Sequence, residues 1–268
     1  MSIIPPISPL ATPCPRDVVY PSSDGRPVAE TPIHRKNLLL TIDVLEDWFA
    51  AEAQVYVSGN MFVYYVQGDK WKHVSPDVFV ARGVPKDKPR DYYLVWEEGA
   101  SPDLVIEFTS KSTREEDVDQ KLALYRDVLK VSEFFLFDPH REYLDPPLQG
   151  HRLREGRYEQ VSPLAGRLPS EVLGLHLEDD GDELRLYDPV TRRWLPTPKE
   201  DAAAAKAGAA QAWRRADEQQ RRADEQQARA QAERKIAEAE RKCAEERQVE
   251  IERLHRELEA LRRQQSGG

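Results

Sequence analysis

The chain has 268 residues, 32% of them charged and 40% hydrophobic, with a formal net charge of −9, enough for one ordinary domain plus an appendage or for two small domains. Residues 201–268 hold 15 Lys+Arg against 14 Asp+Glu, a net of +1, which leaves −10 on residues 1–200 by subtraction. So acidic a body argues against a strong sequence-independent grip on nucleic acid through clustered Lys and Arg, but not against a nuclease whose carboxylates hold a metal ion.

Cys14 and Cys243 have no disulfide or zinc spacing, which fits a reducing compartment. The start, Met-Ser-Ile-Ile-Pro-Pro, has no charged region followed by a long apolar core, and no run approaches the roughly 20 apolar residues of a membrane helix. The expectation is a cytoplasmic protein with no membrane span.

In chain order, residues 1–35 read as a Pro-rich flexible arm, 36–198 as the main domain and 199–268 as a charged helical tail. Thr41 is the expected N-cap of a helix over Ile42 to Ala53, with Ile42, Leu45, Trp48 and Phe49 on one face. Val55–Val57 and Met61–Val66, around Ser58-Gly-Asn60, predict a β-hairpin. Val78–Ala81 continues as a strand after Ser75-Pro-Asp77. Residues 83–100 read as a long loop in which Tyr92, Tyr93 and Trp96 cover the sheet or, second, stack on bases.

Leu104–Phe108 is an apolar, β-branched run of buried-strand type that carries a carboxylate, Glu107. Thr113-Arg-Glu-Glu116 has the form of a capping box, so a helix starts at Arg114 and places Asp117, Lys121 and Tyr125 on one stripe. Glu133–Asp138 is a further apolar strand, and His151–Val161 a hairpin turning at Glu155-Gly156. Leu173–Leu177 and Leu184–Tyr187 are short β pieces that extend the sheet, and Glu171 with the acids at 178–183 reads as a solvated turn. Alternating strands and helices predict an α/β fold with a mixed central sheet flanked by helices.

In the tail Arg-Arg-Ala-Asp-Glu-Gln-Gln occurs twice in succession, and Ala216, Ala223, Ala230, Ala237, Ala244, Ile251 and Leu258 hold one heptad position. Leu254 and Leu261 complete an apolar seam only at the end. A homo-oligomeric coiled coil through residues 214–263 and a single charged helix are both open.

Asp77 and Glu107, at the ends of neighbouring strands, could hold a divalent cation such as Mg²⁺, with a nearby lysine stabilising charge developing on a phosphodiester. On spacing alone the bland reading leads: a Pro-Asp turn, a strand-end Glu paired with arginine and a solvated Lys121. The six histidines show no ligand spacing, and His73 reads as a strand-edge residue.

The ordered series SPDVFVARG at 75–83, SPDLVIEFTSKST at 101–113, D-x-x-x-K-x-x-x-Y at 117–125 and VSEFFLFDP at 131–139 resembles the Uma-type restriction endonuclease family, within the PD-(D/E)XK nuclease superfamily. SGNMFVYY at 58–65 and PSEVLGLHL at 169–177 extend the resemblance over roughly residues 40–198. It implies a restriction-endonuclease-like sheet flanked by helices and a Mg²⁺-dependent endonuclease acting on DNA, with Mn²⁺ as substitute. Asp77 and Glu107 would be metal ligands, and Lys121 the catalytic lysine displaced onto the following helix. Thr109 stands where the superfamily has a lysine two residues after the second acid, and cannot replace its charge. Lys111 ranks second to Lys121. Asp103 and Asp117 are implied outer partners, Tyr125 a support for Lys121, and Asn60 a hydrogen-bonding neighbour of the first acid. The alternative is a catalytically inactive nuclease-fold module for binding or assembly, oligomerised by the tail.

Overall fold

The computed structural model describes residues 18–22, 31–109 and 120–265. Lys111, the 113–116 capping box and Asp117 lie outside these residues. Two compact units are present, Met1–Asp201 and Ala202–Gly268.

Helix α1 spans Pro32–Trp48 and so begins ten residues before the expected start. Its N-cap is Thr31, whose hydroxyl accepts a hydrogen bond from the His34 amide at 3.2 Å, and Pro32 follows where a missing N–H is harmless. Thr41, the expected cap, is buried in mid-helix instead. Buried Leu38, Val44 and Leu45 face the core. Asn37, fully buried, fastens the helix: its side-chain carbonyl accepts from Leu184 N at 2.8 Å, and its amide donates to the Asp182 carbonyl at 2.8 Å. At the other end Trp48 Nε1 donates to the Leu173 carbonyl at 3.1 Å.

Six strands form the central sheet: β1 (Val55–Ser58), β4 (Val78–Arg82), β6 (Leu104–Phe108), β7 (Glu133–Phe137), β8 (Leu148–Arg154) and β9 (Arg157–Gln160), in that spatial order. Among the described strands of this sheet only β6 and β7 pair in parallel, with Glu107 opposite Leu136. Both are buried along their whole length, as strands covered on two faces must be, and this is why their sequences are nearly continuous apolar runs. The β8–β9 hairpin turns where expected, with Glu155 and Gly156 both at positive φ (49° and 81°).

The hairpin expected over residues 55–66 does not form. β1 pairs with β4, whereas β2 (Val63–Tyr64) joins a separate sheet between β3 (His73–Val74) and β5 (Tyr93–Leu94). The intervening turn packs directly on the segment before β4: the Asn60 amide donates to the Pro76 carbonyl at 2.8 Å, and a Cβ at Gly59 would lie 1.9 Å from the Asp77 carbonyl oxygen. That contact sends the chain out of the first sheet. The 83–100 stretch, expected as loop, contains β5 and a single helical turn, α2 (Val95–Glu98). A buried cation folds it: Arg90 pairs with Glu98 at 2.8 Å and lies 4.2 Å from the Tyr56 ring centre, and its hydrogen bond holds the Glu98 carboxyl below its ordinary pKa. Tyr93 is core, not surface.

The late β pieces do not extend the central sheet. β10 (Leu168–Pro169), β11 (His176–Asp180), β12 (Glu183–Asp188) and β13 (Arg193–Trp194) make a second antiparallel sheet. Buried Glu133, at the head of β7, anchors the connection between β10 and β11 by accepting from Arg152 Nε at 2.8 Å, from the amides of Glu171 and Val172 at 2.9 and 3.2 Å, and from the Ser170 hydroxyl. The acids expected in a solvated turn are partly structural: Glu171 pairs with Arg152 and Arg154, and Glu178, within β11, pairs with Arg167 at 2.6 Å.

Helix α3 spans Pro198–Gln265 without a break. Ion pairs one turn apart, such as Asp217–Arg221, Glu218–Arg222 and Arg241–Glu245, add to the helix propensity of its Ala, Glu, Gln and Arg residues.

Candidate active site

Glu107 is the fourth residue of β6 and only 1% exposed. A carboxylate so buried needs compensation, and the β6–β7 crossover supplies it. Lys121 Nζ lies 2.9 Å from Glu107 Oε2, and the Tyr125 hydroxyl donates to Oε1 at 2.6 Å. The two donors sit one helical turn apart, as the stripe at 117, 121 and 125 predicts. The segment carrying Tyr125 is a π-helix, Leu124–Leu129, closed by Lys130 in the left-handed region; such turns are frequent at functional sites.

Asp77 stands directly before β4, one step beyond the Val78–Ile106 pair of the antiparallel β4–β6 ladder. Continued by one residue, that register would set Asp77 opposite Glu107. Its Oδ2 accepts from the Phe108 amide at 2.8 Å, and its Oδ1 lies 3.2 Å from His34 Nε2. Asp77 and Glu107 therefore lie at the same end of adjacent strands.

Thr109, two residues beyond Glu107, is buried, and its hydroxyl hydrogen-bonds the Tyr143 hydroxyl. Tyr143 comes from the loop after β7, where the Asp138 carboxylate accepts from the amides of His140, Glu142, Tyr143 and Leu144 at 2.9–3.2 Å. Asp103 sits at the far end of β6 and caps the Arg82 amide at 2.7 Å, a structural bond. Asn60 reaches the site through its backbone bond to Pro76.

His34 and Tyr143 are the residues that sequence reasoning misses. Thr31-Pro32 is a helix-start signal that would have put His34 in a first turn; no spacing points to Tyr143.

Among the described residues no group of three or more His, Cys, Asp or Glu side chains is arranged to hold a metal ion. Mg²⁺, however, commonly takes one or two protein carboxylates and fills its remaining positions with water and substrate phosphate oxygens. Asp77 and Glu107 fit that donor set.

Residues 11–180 match the model of the Uma2 family, described as "Putative restriction endonuclease". The chain belongs to this family. The matched span includes Asp77, Glu107 and Lys121. Among solved structures, the chain is similar to that of a "putative nuclease belonging to DUF820" from Anabaena variabilis ATCC 29413, at TM-score 0.42 and 14% identity over 56% of this chain and 79% of that one. No curated protein matches the chain. No helix among the described residues is long and apolar enough to cross a membrane.

Proposed function

We propose that the chain is a Mg²⁺-dependent endonuclease that hydrolyses phosphodiester bonds in DNA, with Asp77 and Glu107 as metal ligands and Lys121 as the catalytic lysine. The observation that carries this reading is Lys121 at 2.9 Å from Glu107: the crossover brings to this acid a cation that Thr109, just past the strand, cannot supply.

A bound Mg²⁺ would polarise the phosphoryl group and ease formation of hydroxide. The chain's own residues do the rest. The Phe108 amide and His34 fix the Asp77 carboxylate from two sides, Tyr125 fixes Glu107, and Lys121 stands ready as a fixed positive charge where a phosphorane would develop its own negative charge.

Calorimetric titration of Mn²⁺ into wild type is expected to show binding that Asp77→Ala combined with Glu107→Ala abolishes. Cleavage of a DNA panel should fall with it. Binding that survives in the double variant would place the ion elsewhere.

A second reading, a catalytically silent module assembled by the tail, draws support from Thr109 and from the body's net charge of −10. Ile251, Leu254 and Leu258 are about half exposed on α3, at 48%, 48% and 51%, and form the apolar part of the heptad seam. Its flanking positions carry Glu250 and Glu257 on one side and His255 and Arg262 on the other, a pattern that sets Glu257 against the Arg262 position of a second, parallel copy. Light scattering should give a multiple of the monomer mass for the full chain and the monomer mass after truncation at residue 200. A monomeric full chain would remove the assembly role.

A further inference from the structure

We propose that His34 is a nitrogen ligand of the cation at Asp77 and turns the site's preference from Mg²⁺ towards later first-row ions such as Co²⁺. The inference rests on the metal-binding reading of Asp77.

Three observations converge on it. The first is spacing. His34 Nε2 and Asp77 Oδ1 are 3.2 Å apart, and two adjacent donors on an octahedral ion with bonds of about 2.1 Å lie about 3.0 Å from each other. The pair could thus share an ion with little movement of either element.

The second is rigidity. His34 stands in the first turn of α1 under the Thr31 cap, three residues before the buried Asn37 that fastens the helix to the β11–β12 turn. Its ring also packs edge-on against Phe108, with centres 6.0 Å apart and planes at 80°. With a side chain 22% exposed, the imidazole is held yet remains accessible.

The third is the state of the second acid. Both Glu107 oxygens are engaged, by Lys121 and Tyr125, and no three acidic or thiol or imidazole groups converge among the described residues. An ion at Asp77 would thus find the imidazole beside it, 3.2 Å from Oδ1, and would gain Glu107 as a further ligand by displacing Lys121 or Tyr125 from it.

The consequence is chemical. Mg²⁺ prefers oxygen, whereas Co²⁺ binds imidazole well and ranks above Mn²⁺ and Fe²⁺ in affinity for a given nitrogen-containing site. On binding, the Nε2 lone pair faces the ion and the ring proton resides on Nδ1, so the hydrogen bond to Asp77 is exchanged for a shared ion.

The test is calorimetric titration of Co²⁺ and of Mg²⁺ into the full-length wild type, His34→Ala and His34→Gln, each checked for folding by circular dichroism. Proton NMR of the Co²⁺-loaded proteins is recorded in parallel. His34→Ala should weaken Co²⁺ binding by about tenfold or more and Mg²⁺ binding far less. A paramagnetically shifted, exchangeable imidazole N–H signal should be present in wild type and absent from both variants. His34→Gln can still donate a hydrogen bond to Asp77 but offers no imidazole, so it should not recover Co²⁺ affinity. Equal weakening of both ions, or recovery by His34→Gln, would reduce His34 to a residue that orients Asp77 and overturn the proposal while leaving the metal site standing. A wild type that binds neither ion would overturn both.

Discussion

Lys121→Ala should lower DNA cleavage by about 10²–10³-fold, the usual cost of removing one preorganised group aimed at transition-state charge. The same substitution leaves Glu107, 1% exposed, without the ammonium 2.9 Å from Oε2. Breaking a buried ion pair costs about 3–5 kcal/mol, and the partial exposure of Lys121, at 17%, places this case near the lower bound. A divalent ion would then be the best available compensation for the carboxylate. Mn²⁺ is therefore expected to raise the melting temperature of Lys121→Ala by more than it raises that of wild type. Lys121→Arg should not restore full activity, because a planar fork cannot occupy the place of a compact ammonium. Cleavage at wild-type rate by Lys121→Ala would remove the lysine from the mechanism.

Gly59→Ala is the second variant with a large expected effect, although residue 59 bears no functional group. A Cβ there would lie 1.9 Å from the Asp77 carbonyl oxygen and 2.9 Å from both the Asp77 carbonyl carbon and Ile42 Cδ1. Two of these are backbone atoms of the first acid, so no side-chain rotation relieves the clash. Asp77 must move, losing its bond to the Phe108 amide and with it the position of a ligand. Overpacking of this kind costs about 1–3 kcal/mol. The informative comparison is Gly150→Ala in β8, whose Cβ would meet the Phe135 ring at 2.6 Å, in a strand that does not touch Asp77. Urea unfolding should show both variants destabilised; Mn²⁺ titration should show binding lost in Gly59→Ala and kept in Gly150→Ala. Wild-type Mn²⁺ affinity in Gly59→Ala would mean that the turn does not set the acid's position.

Strands β6 and β7 were readable from residues 104–108 and 133–137 because burial on both faces writes itself into a continuous apolar run. The Glu155-Gly156 turn was readable because a two-residue hairpin demands positive φ at both positions. The tail was readable because a 68-residue helix rests on local propensity and on pairs one turn apart. Glu107 announced itself as a charge inside an apolar strand, and the Lys121–Tyr125 spacing placed two donors on one helix stripe.

The remainder depended on contacts between residues distant in sequence. Thr31 and Thr41 can both cap a helix; Pro32 favours the first, and the anchorage of α1 through Asn37 to Asp182 and Leu184 holds the helix there. Val55–Val57 and Met61–Val66 have the pattern of paired strands, but pattern does not name the partner: the close approach of Gly59 to Asp77 assigns them to different sheets. His34 and Tyr143 carry no local mark of function at all. His34 reaches Asp77 and Tyr143 reaches Thr109 because a capped helix starts, and an Asp138-bound loop folds, beside them. By itself, then, the sequence determined which segments are buried, which are helical and which acids and lysine are candidates, since burial and periodicity are local. The tertiary structure alone decided strand partnership and the shell around the acids, since both depend on backbone approach across the fold.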